Sequence, residues 1–190
     1  MEKKQSKENR KVRYTKMVLR DSLMELMKTK PISAISIKEI CAAADVSRST
    51  FYTHYADQYD LLQKTEEETF EFIDNILNKY AYNKNNTREA LQMLEDILQY
   101  FTENNKSIYV LLSENGDLKF PKTIFWSMYQ KKFMKSLTDK YPDEQTRQYL
   151  YLFIVTGSLG VIYHWIKNGM DKPVKELAKL IISLTSQTVK

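Results

Sequence analysis

The sequence predicts an all-α fold of about nine helices, and three observations lead there. Glycine and proline number only four each in 190 residues, too few turn-formers for a sheet-rich chain. Apolar residues recur at helical spacing along most of the length. Ser, Thr, Asp and Pro stand where helix ends leave orphan backbone groups to satisfy. A chain of this size buries about 70% of its unfolded surface, enough for a small head and a larger body.

The first helix is expected over residues 11–29, with Val12, Thr15, Val18 (or Leu19), Ser22 (or Leu23) and Leu26 (or Met27) as its stripe, and Pro31 beyond its end. Ser36 and Glu39 form a capping box for a short second helix running to about Ala44. Asp45-Val46-Ser47 is a tight turn, because Asp tolerates a left-handed backbone and Ser47 caps the next helix. Asp57 caps a long fourth helix to about Tyr82, and Asn83 to Asn86 read as a loop. Thr87 opens a fifth helix with Leu91, Leu94, Ile97, Leu98 and Phe101 on its apolar face. A short helix over 106–114 ends at Asn115-Gly116, and Pro121 starts another carrying Ile124, Phe125, Met128, Phe133 and Leu137. The penultimate helix runs from about Asp143 to Asn168, closed by Gly169. Its apolar stretch after Tyr149 suits a helix covered on several sides. The last starts near Pro173, with Val174, Leu177, Ala178, Ile181 and Ile182 aligned.

Charge divides the chain. Residues 1–56 carry 12 Lys/Arg against 6 Asp/Glu, and the remainder 17 against 18, so the footprint for a polyanion lies in the N-terminal third. The basic start of the chain reads equally as a solvated tail. A lone cysteine, Cys41, makes no internal disulfide, and with two histidines it is a poor zinc set, so no metal and no cofactor are expected. No apolar segment follows MEKKQSKENRKVR, so a cytoplasmic protein is expected. The 18 uncharged residues of 149–166 just reach membrane-spanning length, but Thr156, Gly157, Ser158, Gly160 and His164 favour a buried helix, and no membrane association is expected.

The stretch SIKEICAAADVSRSTFYTHY, residues 36–55, carries the most information. Two short helices joined by a tight turn lay the second in a major groove. Ile37, Ile40, Cys41, Ala44, Val46, Phe51 and Tyr55 are spaced to pack inward. Arg48, Ser49, Tyr52 and Thr53 then share the outer side. Arg48 suits guanine O6 and N7, Ser49 and Thr53 suit base edges or a thymine methyl, and Tyr52 and His54 suit phosphate.

From about Val12 to Leu62 the chain resembles the tetracycline-repressor (TetR) family of bacterial regulators. The resemblance rests on Ser36, Ala44-Asp45-Val46-Ser47, Thr50-Phe51-Tyr52 and Tyr55, and covers about 50 of 190 residues. It implies phosphate contacts from Ser36, Thr50, Tyr52 and His54 and base contacts from Arg48, Ser49 and Thr53, and Ser47 is counted with them among the expected DNA-binding residues. Two departures stand out. Asp45 replaces the usual turn glycine, and Gln58 replaces a common lysine at the start of the fourth helix. Gln58 can still hydrogen-bond a phosphate, with Lys38, Arg48 or the basic arm supplying charge. The tail, Tyr149 to Trp165 followed by Asn168-Gly169-Met170, is similar to one branch of the family.

The division expected is a DNA-binding domain over 1–56 and a ligand-binding and dimerisation domain over 57–190. The resemblance implies a homodimer through the last two helices. Gly157 and Gly160 independently permit close helix approach, and Val161, His164, Leu177 and Ile181 complete the expected interface, although one subunit can bury both faces internally. The resemblance also implies a small-molecule effector in the body, with Phe70, Phe101, Tyr109, Trp126, Tyr129, Phe133, Phe153 and Trp165 as candidate lining. The plainer reading of each is core. Tyr163 and His164 are candidate polar anchors, with a hydrogen-bonded core histidine as the plainer reading.

No glycine-rich phosphate loop, nucleophile elbow or convergent acid/base set is present, so no enzymatic activity is expected. The function expected is a ligand-responsive repressor that binds a palindromic double-stranded DNA operator as a homodimer. The alternative is a co-regulator without operator binding that acts through protein partners.

Overall fold

The computed structural model describes residues 10–80, 87–113 and 141–188. Eight α-helices occur among them: α1 (Arg10–Met27), α2 (Ile37–Ala44), α3 (Arg48–Tyr52), α4 (Gln58–Lys79), α5 (Thr87–Glu103), α6 (Asn105–Leu112), α7 (Glu144–Lys167) and α8 (Val174–Thr188). A 3-10 turn, Ile32–Ala34, follows α1, and no strand occurs among the described residues. The helix expected from Pro121, with Trp126, Tyr129 and Phe133, lies outside them, as does the loop Asn83 to Asn86. The chain forms two compact units, Met1–Glu66 and Glu67–Lys190. The sequence placed the division ahead of Asp57. The start of α4 belongs with the first unit because it is tied there: Ala56 N–H donates to Asp60 Oδ2 (2.9 Å) and Lys64 Nζ to the His54 carbonyl (3.1 Å).

In the first unit α1 packs on α2, and α2 on α3. Leu19, Leu23, Met24 and Met27 are the buried residues of α1. The stripe therefore runs one position on from Val18, Ser22 and Leu26, with Leu19 and Leu23 removing more apolar surface from water than Val18 and Ser22 would and Met27 following in register. Ile35, Ile40, Cys41, Phe51, Tyr55, Leu61 and Leu62 complete this core. Ile37, Ala44 and Val46 are only half-buried.

In the second unit α5 packs on α8, α6 on α7, and α7 on α8. Ile97, Leu98 and Phe101 of α5, Ile108, Val110 and Leu111 of α6, and Leu177, Ala178 and Ile181 of α8 are buried. A polar clamp ties the end of α4 to α5: Asp96 accepts from Tyr80 Oη (2.6 Å), Gln92 Nε2 (3.0 Å) and Lys79 Nζ (3.1 Å). Burial pulls the Asp96 carboxyl upward, but these three donors together hold it below its ordinary value.

Helix α7 starts at Asp143, whose carboxylate accepts from Thr146 N–H at 2.7 Å. It ends where Gly169 turns left-handed (φ 74°), and Met170 (φ 61°) returns its N–H to the Trp165 carbonyl at 2.8 Å. By length and composition α7 is the one described helix able to cross a bilayer. Its buried residues, Arg147, Tyr151, Val155, Ile162, Trp165 and Ile166, lie on one side only. The expectation that it is covered on several sides does not hold among the described residues: Tyr149, Leu152 and Phe153 are 64%, 45% and 65% exposed.

Candidate nucleic-acid interface

The turn between α2 and α3 is built from side-chain caps. Ser36 Oγ accepts from Glu39 N–H (3.3 Å) while Glu39 Oε2 accepts from Ser36 N–H (2.9 Å) and Ser36 Oγ (2.8 Å). Lys30 Nζ donates to the other carboxylate oxygen at 2.6 Å, so the segment after α1 is pinned to the first turn of α2. These donors, Lys30 first, hold the Glu39 carboxyl at about 2 against an ordinary 4.5. At the other end Asp45 adopts the left-handed conformation (φ 52°, ψ 46°), and Val46 N–H returns to the Cys41 carbonyl at 3.0 Å. Ser47 then caps α3 by accepting from Thr50 N–H at 3.1 Å.

With both ends fixed, the two sides of α3 separate. Phe51 is fully buried and Tyr55 nearly so, their rings 5.7 Å apart. Lys38, Ser47, Arg48, Ser49, Tyr52 and Thr53 are exposed, and Thr50 and His54 are half-buried. Tyr52, 58% exposed, rests edge-on against Phe51 (5.7 Å, 87°), which orients its hydroxyl. Lys38, Arg48 and Tyr52 make no side-chain hydrogen bond to another described residue, so their donors are available outward. Burial pushes the Cys41 thiol above its ordinary value, with the nearby Arg48 charge pulling the other way.

Several hydroxyls are already committed. The Ser36 proton goes to Glu39, which orders the start of α2. Ser47 Oγ lies 2.9 Å from Ser49 Oγ and 2.8 Å from Thr50 Oγ1, and Thr53 Oγ1 donates to the Thr50 carbonyl at 2.6 Å. Thr53 therefore keeps its methyl, not its proton, for an outside surface. Gln58, half-buried, opens α4, and Asp57 Oδ1 accepts from Asp60 N–H at 2.8 Å. The sequence reading missed Lys64. It bonds Asp60 (2.9 Å) and the His54 carbonyl and lies 5.2 Å over the Tyr55 ring, bracing the end of α3.

The body residues fall into three groups. Phe101 and Trp165 are core, at 2% and 3% exposure, and Trp165 Nε1 is committed to the Lys172 carbonyl at 2.9 Å. Phe70 and Tyr109 are half-buried, Tyr109 stacking on Tyr163 at 5.5 Å. Phe153 is a correction: at 65% exposure it is a surface residue of α7, not the lining of an internal site. Of the interface candidates, Gly157, Gly160 and His164 are exposed and Val161 half-buried. His164 is not a core histidine; its Nε2 lies 2.8 Å from Asn168 Nδ2. Leu177 and Ile181 are corrected too. They are 2% and 4% exposed because the face of α8 that carries them is covered within the unit, and the exposed leucines of α8 are Leu180 and Leu184. Together with Tyr149 and Leu152 these were not singled out in the sequence. Their spacing, opposite the Tyr151-Val155-Ile162 side of α7 and the Leu177-Ile181 side of α8, is the signal that would have found them.

The model of the "Transcriptional regulator C-terminal region" matches residues 88–187, and that of "Bacterial regulatory proteins, tetR family" matches residues 19–65. The chain belongs to the TetR family. The chain is 24% identical over 179 residues to an HTH-type transcriptional regulator, YxbF, of Bacillus subtilis (strain 168). The match takes in 93% of this chain but 46% of that protein, so the chain spans about half the length of this relative. Its fold is similar to that of a TetR transcriptional regulator from Streptococcus agalactiae (TM-score 0.59, 21% identity, 93% of this chain and 96% of that one). It is also similar to a TetR-like regulator from Rhodococcus (TM-score 0.66, 17% identity, 91% and 94%).

Proposed function

We propose that this TetR-family protein is a cytoplasmic, ligand-responsive repressor that binds a palindromic operator as a homodimer. The observation that carries the reading is the outward side of α3, where exposed Arg48 and Tyr52 and neighbouring Lys38 hold uncommitted donors above a fully buried Phe51. A helix held this way enters a major groove with Arg48 at base edges and Tyr52 at phosphate.

Pairing of two chains is supported by the uncovered apolar side of α7 and α8. Tyr149, Leu152, Phe153, Gly157, Gly160 and His164 follow one another at helical spacing, and Leu180 and Leu184 are 41% and 47% exposed. A Cβ added at Gly157 or Gly160 meets nothing within 4 Å, leaving room for another helix to approach. Two reading heads so linked address half-sites roughly 34–36 Å apart. An effector that favours one body conformation changes that separation. For the effector, the half-buried Phe70 and Tyr109 remain candidates alongside Trp126, Tyr129 and Phe133.

Binding to duplexes selected from a random pool, followed by anisotropy across a salt series, tests the reading. Specific affinity falls steeply as salt rises, because neutralised phosphates release counterions. Gln58 at a position that commonly holds lysine favours a second reading, a co-regulator acting through protein partners. It is the correct one if no duplex is enriched.

A further inference from the structure

Helix α3 is five residues long, and so short a helix does not hold its shape in water unaided. Its start is fixed by the Ser47 cap, and its end is fixed from α4. Asp60 Oδ2 accepts both from Ala56 N–H (2.9 Å) and from Lys64 Nζ (2.9 Å), and Lys64 Nζ also donates to the His54 carbonyl at 3.1 Å. The chain from His54 to Lys64 is thereby closed into a ring of bonds beside the end of α3. Three aromatic rings carry this anchorage back along the helix. Lys64 Nζ lies 5.2 Å over the Tyr55 ring, Tyr55 is 5.7 Å from Phe51, and the Tyr52 ring stands edge-on to Phe51 at 5.7 Å. Phe51 is fully buried and Tyr55 nearly so, and the exposed Tyr52 rests on fixed neighbours. Lys64 is the one Lys or Arg of α4 before Lys79, which makes it the natural candidate to supply the charge that Gln58 lacks. The distances argue otherwise. Its ammonium is turned onto Asp60, His54 and Tyr55, and that bond, ahead of the one from Ala56, holds the Asp60 carboxyl below its ordinary value. Lys64 thus already serves an anion of its own chain.

We propose that Lys64 is a positioning residue for DNA binding: without touching the duplex, it holds the turn after α3 and, through Tyr55 and Phe51, sets where the Tyr52 hydroxyl meets a phosphate. The proposal rests on the DNA-binding reading above. All of these residues belong to one compact unit. When Lys64 is removed, the placement of Tyr52 that suits the duplex is less populated, and the apparent affinity falls with that fraction. The net worth of one hydrogen bond, about two- to tenfold in an equilibrium constant, sets the size of the effect per subunit. A dimer carries it twice. A contact to phosphate placed in this way changes affinity for every duplex and leaves base preference alone.

The experiment measures anisotropy of full-length protein on its selected duplex and on a random duplex, across a salt series. It compares wild type, Lys64→Met, Lys64→Arg, Tyr52→Phe and the double variant Lys64→Met/Tyr52→Phe, with circular dichroism confirming that each keeps its helices. Lys64→Met is expected to weaken both duplexes by roughly four- to 100-fold, the square of the effect in one subunit, with base preference unchanged and the salt slope of wild type. A lysine that neutralised a phosphate would instead flatten a dimer's slope by about 2, at about 0.9 per contact. Lys64→Arg keeps the cation and its donors and stays close to wild type. The double variant loses scarcely more than Tyr52→Phe alone, because both changes act on one contact, whereas a lysine that only stabilised the fold would give losses that multiply. Wild-type affinity for Lys64→Met, a flattened slope, an arginine variant as weak as the methionine one, or losses that multiply in the double variant each overturn this proposal and leave duplex reading by α3 standing. A wild type that binds no duplex overturns both.

Discussion

Gly160→Leu separates a surface that is merely apolar from one that a second chain covers. Gly160 is exposed on α7, and its absent Cβ faces open space within 4 Å, so the isolated chain accommodates a leucine without a clash. Replacing a helical glycine should stabilise that chain by roughly 0.5–1 kcal/mol. In a twofold interface packed closely at Gly157 and Gly160, the same side chain overfills the contact at a cost of about 1–3 kcal/mol. The symmetry makes it occur twice. A total of roughly 2–6 kcal/mol at about 1.4 kcal/mol per factor of ten weakens dimerisation by about 30-fold to 10⁴-fold. Sedimentation equilibrium of wild type and variant over a concentration series reads this directly, and circular dichroism confirms that the helices are retained. A variant that associates as tightly as wild type, or a wild type that stays monomeric, would refute the assignment of this face.

Three further outcomes follow from the first unit and the α7–α8 turn. Glu39 binds its proton less readily folded than unfolded, so the stability it confers is fully present above pH 4.5 and is lost as pH falls toward 2. Glu39→Gln should therefore show a shallower loss of stability than wild type over that window in urea melts, and identical acid profiles would contradict the Lys30 and Ser36 contacts. Asp45→Gly relieves a left-handed residue while adding chain entropy to the unfolded state, for a net gain of up to about 1 kcal/mol. Calorimetry should show this as a rise of about 2–4 °C, and a lowered midpoint would count against the turn geometry. Trp165→Phe removes the bond to the Lys172 carbonyl and should cost about 0.5–1.5 kcal/mol in chemical denaturation, the net worth of one hydrogen bond. No loss would show that the α7–α8 turn does not depend on it.

What the sequence revealed follows how local the controlling physics is. The Ser36-Glu39 box, the left-handed Asp45 and the Ser47 cap are settled within four residues of chain, and each stands in the structure as its residues predict. The outward side of α3 followed, because burying Phe51 leaves Arg48 and Tyr52 no other direction. The register of α1 was open because Val18 and Leu19, or Ser22 and Leu23, fit one period equally; side-chain volume decided it. The sides of α7 and α8 were misjudged for a different reason. Hydropathy marks Phe153, Leu177 and Ile181 alike as apolar and is silent on which of them the chain itself covers. The Asp60-Lys64 pair is legible as an i,i+4 spacing, but the brace from Lys64 to the His54 carbonyl is not, because backbone acceptors leave no trace in side-chain patterns. Hydroxyl commitments such as that of Ser36 to Glu39 are equally invisible until distances are known.

The most direct test of the central claim, that the Arg48-Tyr52 side of α3 reads duplex DNA, is a comparison of duplex selection by wild type, Arg48→Ala and Tyr52→Phe. Wild type should enrich a two-fold symmetric site. Arg48→Ala should lose about 1–3 kcal/mol on that site and relax preference at one base position per half-site. Tyr52→Phe should weaken cognate and random duplexes together while keeping the same preference. Equal losses for Arg48→Ala on cognate and random DNA, or a selective loss for Tyr52→Phe at one base, would contradict the roles assigned to this surface.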